Sequence, residues 1–178
     1  PTPVQEKSIP EILNCGKDIV SLAQTGTGKT GAFGLPIVQM VDPSVTHVQA
    51  MILSPTRELC LQIAKDLANF SKFKPQVDVC PVYGGSDIRK QIKQLRSNPQ
   101  IVVGTPGRVI DLIERGVLKI DEIRWLVLDE ADEMLDMGFK DDLETILNET
   151  PDSRQTLLFS ATMPPFIATV ASKYMKEP

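Results

Sequence analysis

Apolar residues along this chain fall into two patterns that alternate. The first is a set of short runs of strand length: Ile19–Leu22, Ala50–Leu53, Val77–Val82, Ile101–Val103, Leu126–Leu128 and Thr156–Phe159. The second is a set of stripes at helical spacing: Ile9, Ile12 and Leu13; Leu59, Ile63, Leu67 and Phe70; Ile88, Ile92 and Leu95; Val109, Leu112 and Ile113; Leu143, Ile146 and Leu147. Helices are predicted over Pro3–Asn14, Lys29–Met40 and Pro165–Tyr174, with a kink or break at Pro10 and a bend at Pro36. Asp42–His47 and Asn148–Arg154 read as exposed loops. Strands alternating with helices imply βαβ units, hence an α/β fold with a mainly parallel sheet covered on both faces. In such sheets ligands bind beyond the carboxyl ends of the strands.

Two stretches at strand ends carry candidate chemistry. Ala23-Gln24-Thr25-Gly26-Thr27-Gly28-Lys29-Thr30 follows the first apolar run and opens a helix. Glycines let the backbone turn tightly toward an anion, and successive N–H groups at a helix start converge on phosphate. Lys29 supplies a charge for terminal phosphates, and the Thr30 hydroxyl suits Mg²⁺. The general pattern begins with Gly, where this chain has Ala23. The second stretch is Leu126-Val127-Leu128-Asp129-Glu130-Ala131-Asp132, an apolar run ending in clustered carboxylates. Buried there, such charges cost several kcal/mol each unless a metal or partner offsets them. Asp129 suits Mg²⁺, Glu130 suits orienting or deprotonating a water, and Asp132 suits accepting hydrogen bonds from a neighbouring segment. An acidic helix start is the simpler alternative.

Composition narrows the classes. The chain has 178 residues, enough for one domain, and a net charge of −4. Overall charge gives no support for nucleic-acid binding, so any such surface must be local. No apolar run approaches the ~20 residues needed to span a bilayer. Cys15, Cys60 and Cys80 lack metal spacing and read as buried thiols of a reducing, cytoplasmic protein. His47 shows no partner, and Trp125 reads as packing. Arg89, Lys93 and Arg96 read as a solvated face. Pro1 in place of Met points to a processed chain or a piece of a longer one.

Asp129-Glu130-Ala131-Asp132 spells D-E-A-D, and with Ala23–Thr30 it resembles the DEAD-box ATP-dependent RNA helicases. Pro1-Thr2-Pro3-Val4-Gln5 with Ile9-Pro10 is similar to that family's Q motif. Pro55-Thr56-Arg57-Glu58-Leu59, Gly84-Gly85 and Thr105-Pro106-Gly107-Arg108 resemble its RNA-contact motifs, and Ser160-Ala161-Thr162 its coupling motif. The resemblance covers nearly the whole chain. It implies a three-layer RecA-like P-loop domain over residues 1–178, the N-terminal of two. It also implies ATP and Mg²⁺, with Gln5 on adenine, Gln24–Thr30 on phosphates, and Lys29, Asp129 and Glu130 catalytic. Asp132, Ser160 and Thr162 would couple hydrolysis to strand separation. Partners would be RNA, held mostly by its sugar–phosphate backbone, and a second RecA-like domain whose arginine finger has no counterpart here. Glu133–Phe139 resembles the bacterial cold-shock branch. The residues themselves suit these roles. An amide both donates and accepts, and hydroxyls and arginines at helix starts suit phosphate oxygens. Thr56 and Thr105 equally suit helix capping. An ATP-gated RNA clamp, a DNA translocase and a P-loop kinase are the competing readings; D-E-A-D with Ser160-Ala161-Thr162 argues against the kinase.

Overall fold

The computed structural model describes residues 1–178. In chain order the elements are α1 (Pro3–Asn14), β1 (Ile19–Leu22), α2 (Lys29–Met40), β2 (Ala50–Leu53), α3 (Arg57–Phe70), β3 (Val79–Val82) and α4 (Ile88–Leu95). They continue with β4 (Ile101–Gly104), α5 (Pro106–Glu114), β5 (Trp125–Leu128), α6 (Ala131–Asp136), α7 (Lys140–Glu149), β6 (Gln155–Ser160) and α8 (Pro165–Tyr174). The six strands form one sheet in the order β1-β6-β5-β2-β4-β3, and every neighbouring pair is parallel.

Successive strand residues face opposite sides of this sheet, and both sides are covered. Ala50, Ile52, Val127 and Phe159 pack under α1, α2 and α3, among Phe33, Ile37, Ile63 and Leu67. Met51, Leu53, Leu128 and Leu158 pack under α4 to α8, among Leu112, Leu143, Ile146 and Ile167. The central strands are buried along their whole length, which is why they read as unbroken apolar runs. The two edge strands are only partly covered. Pro81 is tolerated in β3 because an edge strand has one side without ladder bonds.

Several expectations change. Pro10 does not break α1, and α2 runs on through Pro36. The D-E-A-D stretch continues into α6, too short to show a hydrophobic period. Asn148–Arg154 is not a plain exposed loop: its first two residues belong to α7, and Thr150 and Arg154 are buried. Arg154 donates to the carbonyls of Thr150, Pro151 and Tyr174 and to the Thr156 hydroxyl, so it ties the ends of α7 and α8 to β6. Beside it, the Asp18 carboxylate accepts the N–H groups of Thr156 and Lys176, both at 2.6 Å. Cys60 and Cys80 are buried, and burial pushes both thiols up to about 12, but Cys15 is exposed. His47 does have a partner, Glu122, with Nδ1 3.6 Å from Oε2. Trp125 is buried beneath the Arg124 guanidinium, 4.6 Å from the ring centroid. Arg89, Lys93 and Arg96 are exposed, as a solvated face requires. No helix is long and apolar enough to cross a membrane.

Candidate functional site

All six strand ends deliver their following residues to one edge of the sheet. That edge divides into two halves. The first is built from the exits of β1, β6 and β5.

After β1 the chain makes two left-handed glycine turns, at Gly26 (φ 76°) and Gly28 (φ 87°), before α2 begins at Lys29. A side chain at either φ would be strained, so glycine is required. Gln24 and Thr25 are exposed, and the Thr27 hydroxyl closes the turn on the Gln24 carbonyl at 2.8 Å. Lys29 is buried, and its Nζ donates to the Ala23 carbonyl at 3.1 Å. Gln5 reaches across from α1: its Nε2 donates to the Gly28 carbonyl at 3.1 Å, and its Oε1 accepts the Thr2 N–H. A Cβ on Gly28 or on Gly31 would lie 2.7 Å from Gln5 Nε2. Gly31 is thus a site residue that the sequence reading missed; its spacing three residues after Gly28 was the available signal.

Asp129 stands at the exit of β5, 3% exposed, and its carboxylate accepts the Glu130 N–H at 3.0 Å. Burial pushes its pKa up to about 6, against the attraction of the Lys29 ammonium. Glu130 is held at φ 49°, a left-handed conformation unusual for a residue with a side chain. Such a conformation costs of order 1 kcal/mol and persists where its surroundings fix it. Gln5, Gly26, Lys29, Thr30, Asp129 and Glu130 line a common cavity of about 540 Å³. Leu59, Asp66 and Phe70 of α3 also line it, although Leu59 and Phe70 read as core and Asp66 was not singled out. A groove of about 590 Å³ between α1 and the outer edge of β1 is slightly larger. It has no buried lysine or carboxylate in its lining, so chemistry favours the smaller cavity.

β6 lies between β1 and β5, and its exit meets α6. Asp132 accepts both the N–H (3.0 Å) and the hydroxyl (2.8 Å) of Thr162, while its own N–H donates to Ser160 Oγ at 3.3 Å. Burial alone would raise this carboxyl; the bonds from Thr162 and Ser160 outweigh it and hold the pKa below the usual carboxylate range.

The second half is built from the exits of β2, β4 and β3. Pro55 and Pro106 are buried supports. Thr56 caps α3 by accepting the Leu59 N–H at 3.2 Å, and its hydroxyl proton stays free to donate. Thr105 occupies the capping position of α5, yet its side chain makes no capping bond. Arg57 is exposed, with its guanidinium carbon 5.0 Å from the Tyr83 ring centroid. Gly84 and Gly85 form an exposed turn, with Gly85 at φ 77°. Gly107 is exposed, and Arg108 donates to the Ser86 carbonyl and to Gln91. Gln91 also escaped the sequence reading, because a lone glutamine among basic residues of an amphipathic helix carries no signal.

These halves define a phosphate-loop domain of RecA-like architecture. The DEAD/DEAH box helicase family profile matches residues 2–170, and the chain belongs to that family. It is 58% identical over 177 residues to a Limosilactobacillus reuteri protein named ATP-dependent RNA helicase CshA, covering 99% of this chain and 35% of that one. A Geobacillus kaustophilus DEAD-box ATP-dependent RNA helicase CshA is 52% identical over the same share of this chain and 38% of its own length. The fold matches the crystal structure of a DEAD box protein from Methanococcus jannaschii with a TM-score of 0.95 and 46% identity, covering 99% of this chain and 48% of that one. The yeast splicing factor Prp28 matches with a TM-score of 0.93 and 37% identity, over all of this chain and 44% of the other. The chain therefore spans about a third of the length of these CshA relatives.

Proposed function

We propose that this chain is the N-terminal, nucleotide-binding RecA-like domain of an RNA-dependent ATPase that locally unwinds RNA duplexes. The observation that carries the reading is the meeting of buried Lys29 and buried Asp129 in one cavity with Gln5, on the same sheet edge as Thr56, Arg57 and Arg108. Gln5 would read adenine with its amide after releasing the Gly28 carbonyl. The backbone N–H groups of Gln24–Thr30 bind the phosphates, and Lys29 turns from the Ala23 carbonyl to the terminal phosphates. Glu130 orients the attacking water and accepts its proton.

The donor set also fits Mg²⁺. No group of three or more His, Cys, Asp or Glu side chains forms a metal cage. Mg²⁺ favours such a setting, where one or two carboxylates act together with substrate phosphates and water. The buried Asp129 carboxylate, raised in pKa, is the kind of group a cation would relieve, and Thr30 adds a hydroxyl. When bound, the ion neutralises charge on the phosphate oxygens.

RNA is proposed to lie along Pro55–Arg57, Gly84-Gly85 and Thr105–Arg108, held by its backbone with little base readout. Asp132, Ser160 and Thr162 are proposed to transmit the state of the phosphate site. A second RecA-like domain would complete the site; the length of the relatives supports this. The test is ATP turnover by this chain, with and without RNA, before and after a second domain is joined, beside a Glu130→Gln control. The expected result is negligible turnover alone and RNA-stimulated turnover once joined, abolished by Glu130→Gln. Flat turnover throughout, with ATP still bound, would replace this reading with an ATP-gated RNA clamp.

A further inference from the structure

We infer that Gln91 is the positioning residue of the proposed RNA-binding half, the group that fixes the Gly84-Gly85 turn and aims Arg108; this rests on the RNA reading above. Gln91 is 4% exposed, although its helix neighbours Lys90, Lys93 and Gln94 are exposed. A buried amide is costly unless both its ends are bonded. Here both are. Its Oε1 accepts the Tyr83 N–H at 3.2 Å and its Nε2 donates to the Tyr83 carbonyl at 3.0 Å. The side chain thus imitates a neighbouring strand and extends the order of β3 one residue past its end.

The same Oε1 also accepts from Arg108 Nη1 at 3.0 Å, and Arg108 Nη2 donates to the Ser86 carbonyl at 3.2 Å. The turn is therefore gripped on both sides, at Tyr83 by Gln91 and at Ser86 by Arg108, and the two grips are bonded to each other. Between them Gly84 and Gly85 carry no neighbouring atom within 4 Å of where a Cβ would sit, so the turn is open to an approaching chain. Arg57 rests on the Tyr83 ring and so refers to the same support. A guanidinium has five N–H donors, and the two that Arg108 gives to Gln91 and Ser86 leave three for phosphate. Only an amide of this length fills the post: Glu has no proton for the Tyr83 carbonyl, and Met offers neither bond.

The experiment uses this 178-residue chain. Fluorescence anisotropy follows a labelled oligouridylate across a salt series, for the parent, Gln91→Met, Arg108→Ala and the double variant. Affinity for a fluorescent ATP analogue and the thermal midpoint are read in parallel. Gln91→Met is expected to weaken RNA binding roughly tenfold and to make the salt slope shallower by about one. Nucleotide affinity should stay unchanged, and the double variant should bind no more weakly than Arg108→Ala alone. Gln91→Glu, which keeps the shape but loses the donor and neutralises Arg108, should also weaken binding, and it carries the test if Gln91→Met does not fold. Parent-like RNA binding by either variant, additive losses in the double variant, or an equal loss of nucleotide affinity would overturn the inference. If the parent binds no RNA even when joined to a second domain, or Arg108→Ala changes nothing, the RNA reading itself has failed and the inference falls with it.

Discussion

The two halves of the working edge achieve order by opposite means. At the exits of β1 and β5 the backbone itself is shaped, through left-handed turns at Gly26, Gly28 and Glu130, and charges are buried within it. At the exits of β2, β4 and β3 the backbone is mostly ordinary and side chains do the fixing, through Gln91, Arg108 and the Arg57–Tyr83 stack. The first design needs consecutive residues, because a turn is local. The second draws single residues from separate elements, because a side-chain network is not. The first should therefore fail all at once when one charge goes, and the second by degrees.

The largest break is expected at Lys29. Lys29→Ala should lower nucleotide affinity about 100-fold, equivalent to roughly 3 kcal/mol, by removing the ammonium proposed to meet the terminal phosphates. Titration with a fluorescent ATP analogue measures this, while RNA binding by the other half should hold. A loss of both together would deny that the halves are separable. Next comes Gly104, at the end of β4. A Cβ there would lie 2.4 Å from Val109 Cγ2 and 2.9 Å from Val82 Cγ2. Gly104→Ala should cost about 1–3 kcal/mol by overpacking under the second half, read as a lower denaturation midpoint. Thr162→Val removes one of the bonds that Asp132 accepts and should cost about 1 kcal/mol in chemical denaturation.

A titration probes the first half from within. Asp129 has a folded pKa of about 6 against an ordinary 3.8. The folded state thus holds this proton more tightly than the unfolded chain. Its contribution favours folding at low pH and is lost as pH rises from about 4 to about 6. Carbon-detected NMR of the Asp129 carboxyl should show the midpoint, and Lys29→Met should move it higher still, since the ammonium lowers it. A midpoint near the ordinary value would mean that water reaches the carboxylate freely.

The same contrast explains what could be read from the sequence. The phosphate loop and the D-E-A-D run are contiguous, so their chemistry is written in order, and the six strands show as apolar runs because both sheet faces are covered. Expectations failed where function or burial depends on a distant partner. Arg154 looked like loop polarity, yet it closes the ends of two helices. His47 looked unaccompanied because Glu122 is far along the chain. Gln91 became visible only once β3 and α5 were brought beside α4. Thr105 looked like a cap, but occupying the position does not make the bond.

The placing of β1 has a consequence for how the protein is made. β1 pairs only with β6, which lies near the far end of the chain, whereas β2, β3, β4 and β5 pair among themselves. Closing so long a loop carries an entropy cost that is repaid only when the last strand is available. On a ribosome these four strands can therefore assemble first, and the Gln24–Thr30 loop acquires its base only after Gln155–Ser160 has emerged. The nucleotide binding proposed above would then report that β6 has been made, and a chain truncated before β6 would lack it even with every residue of the loop in place.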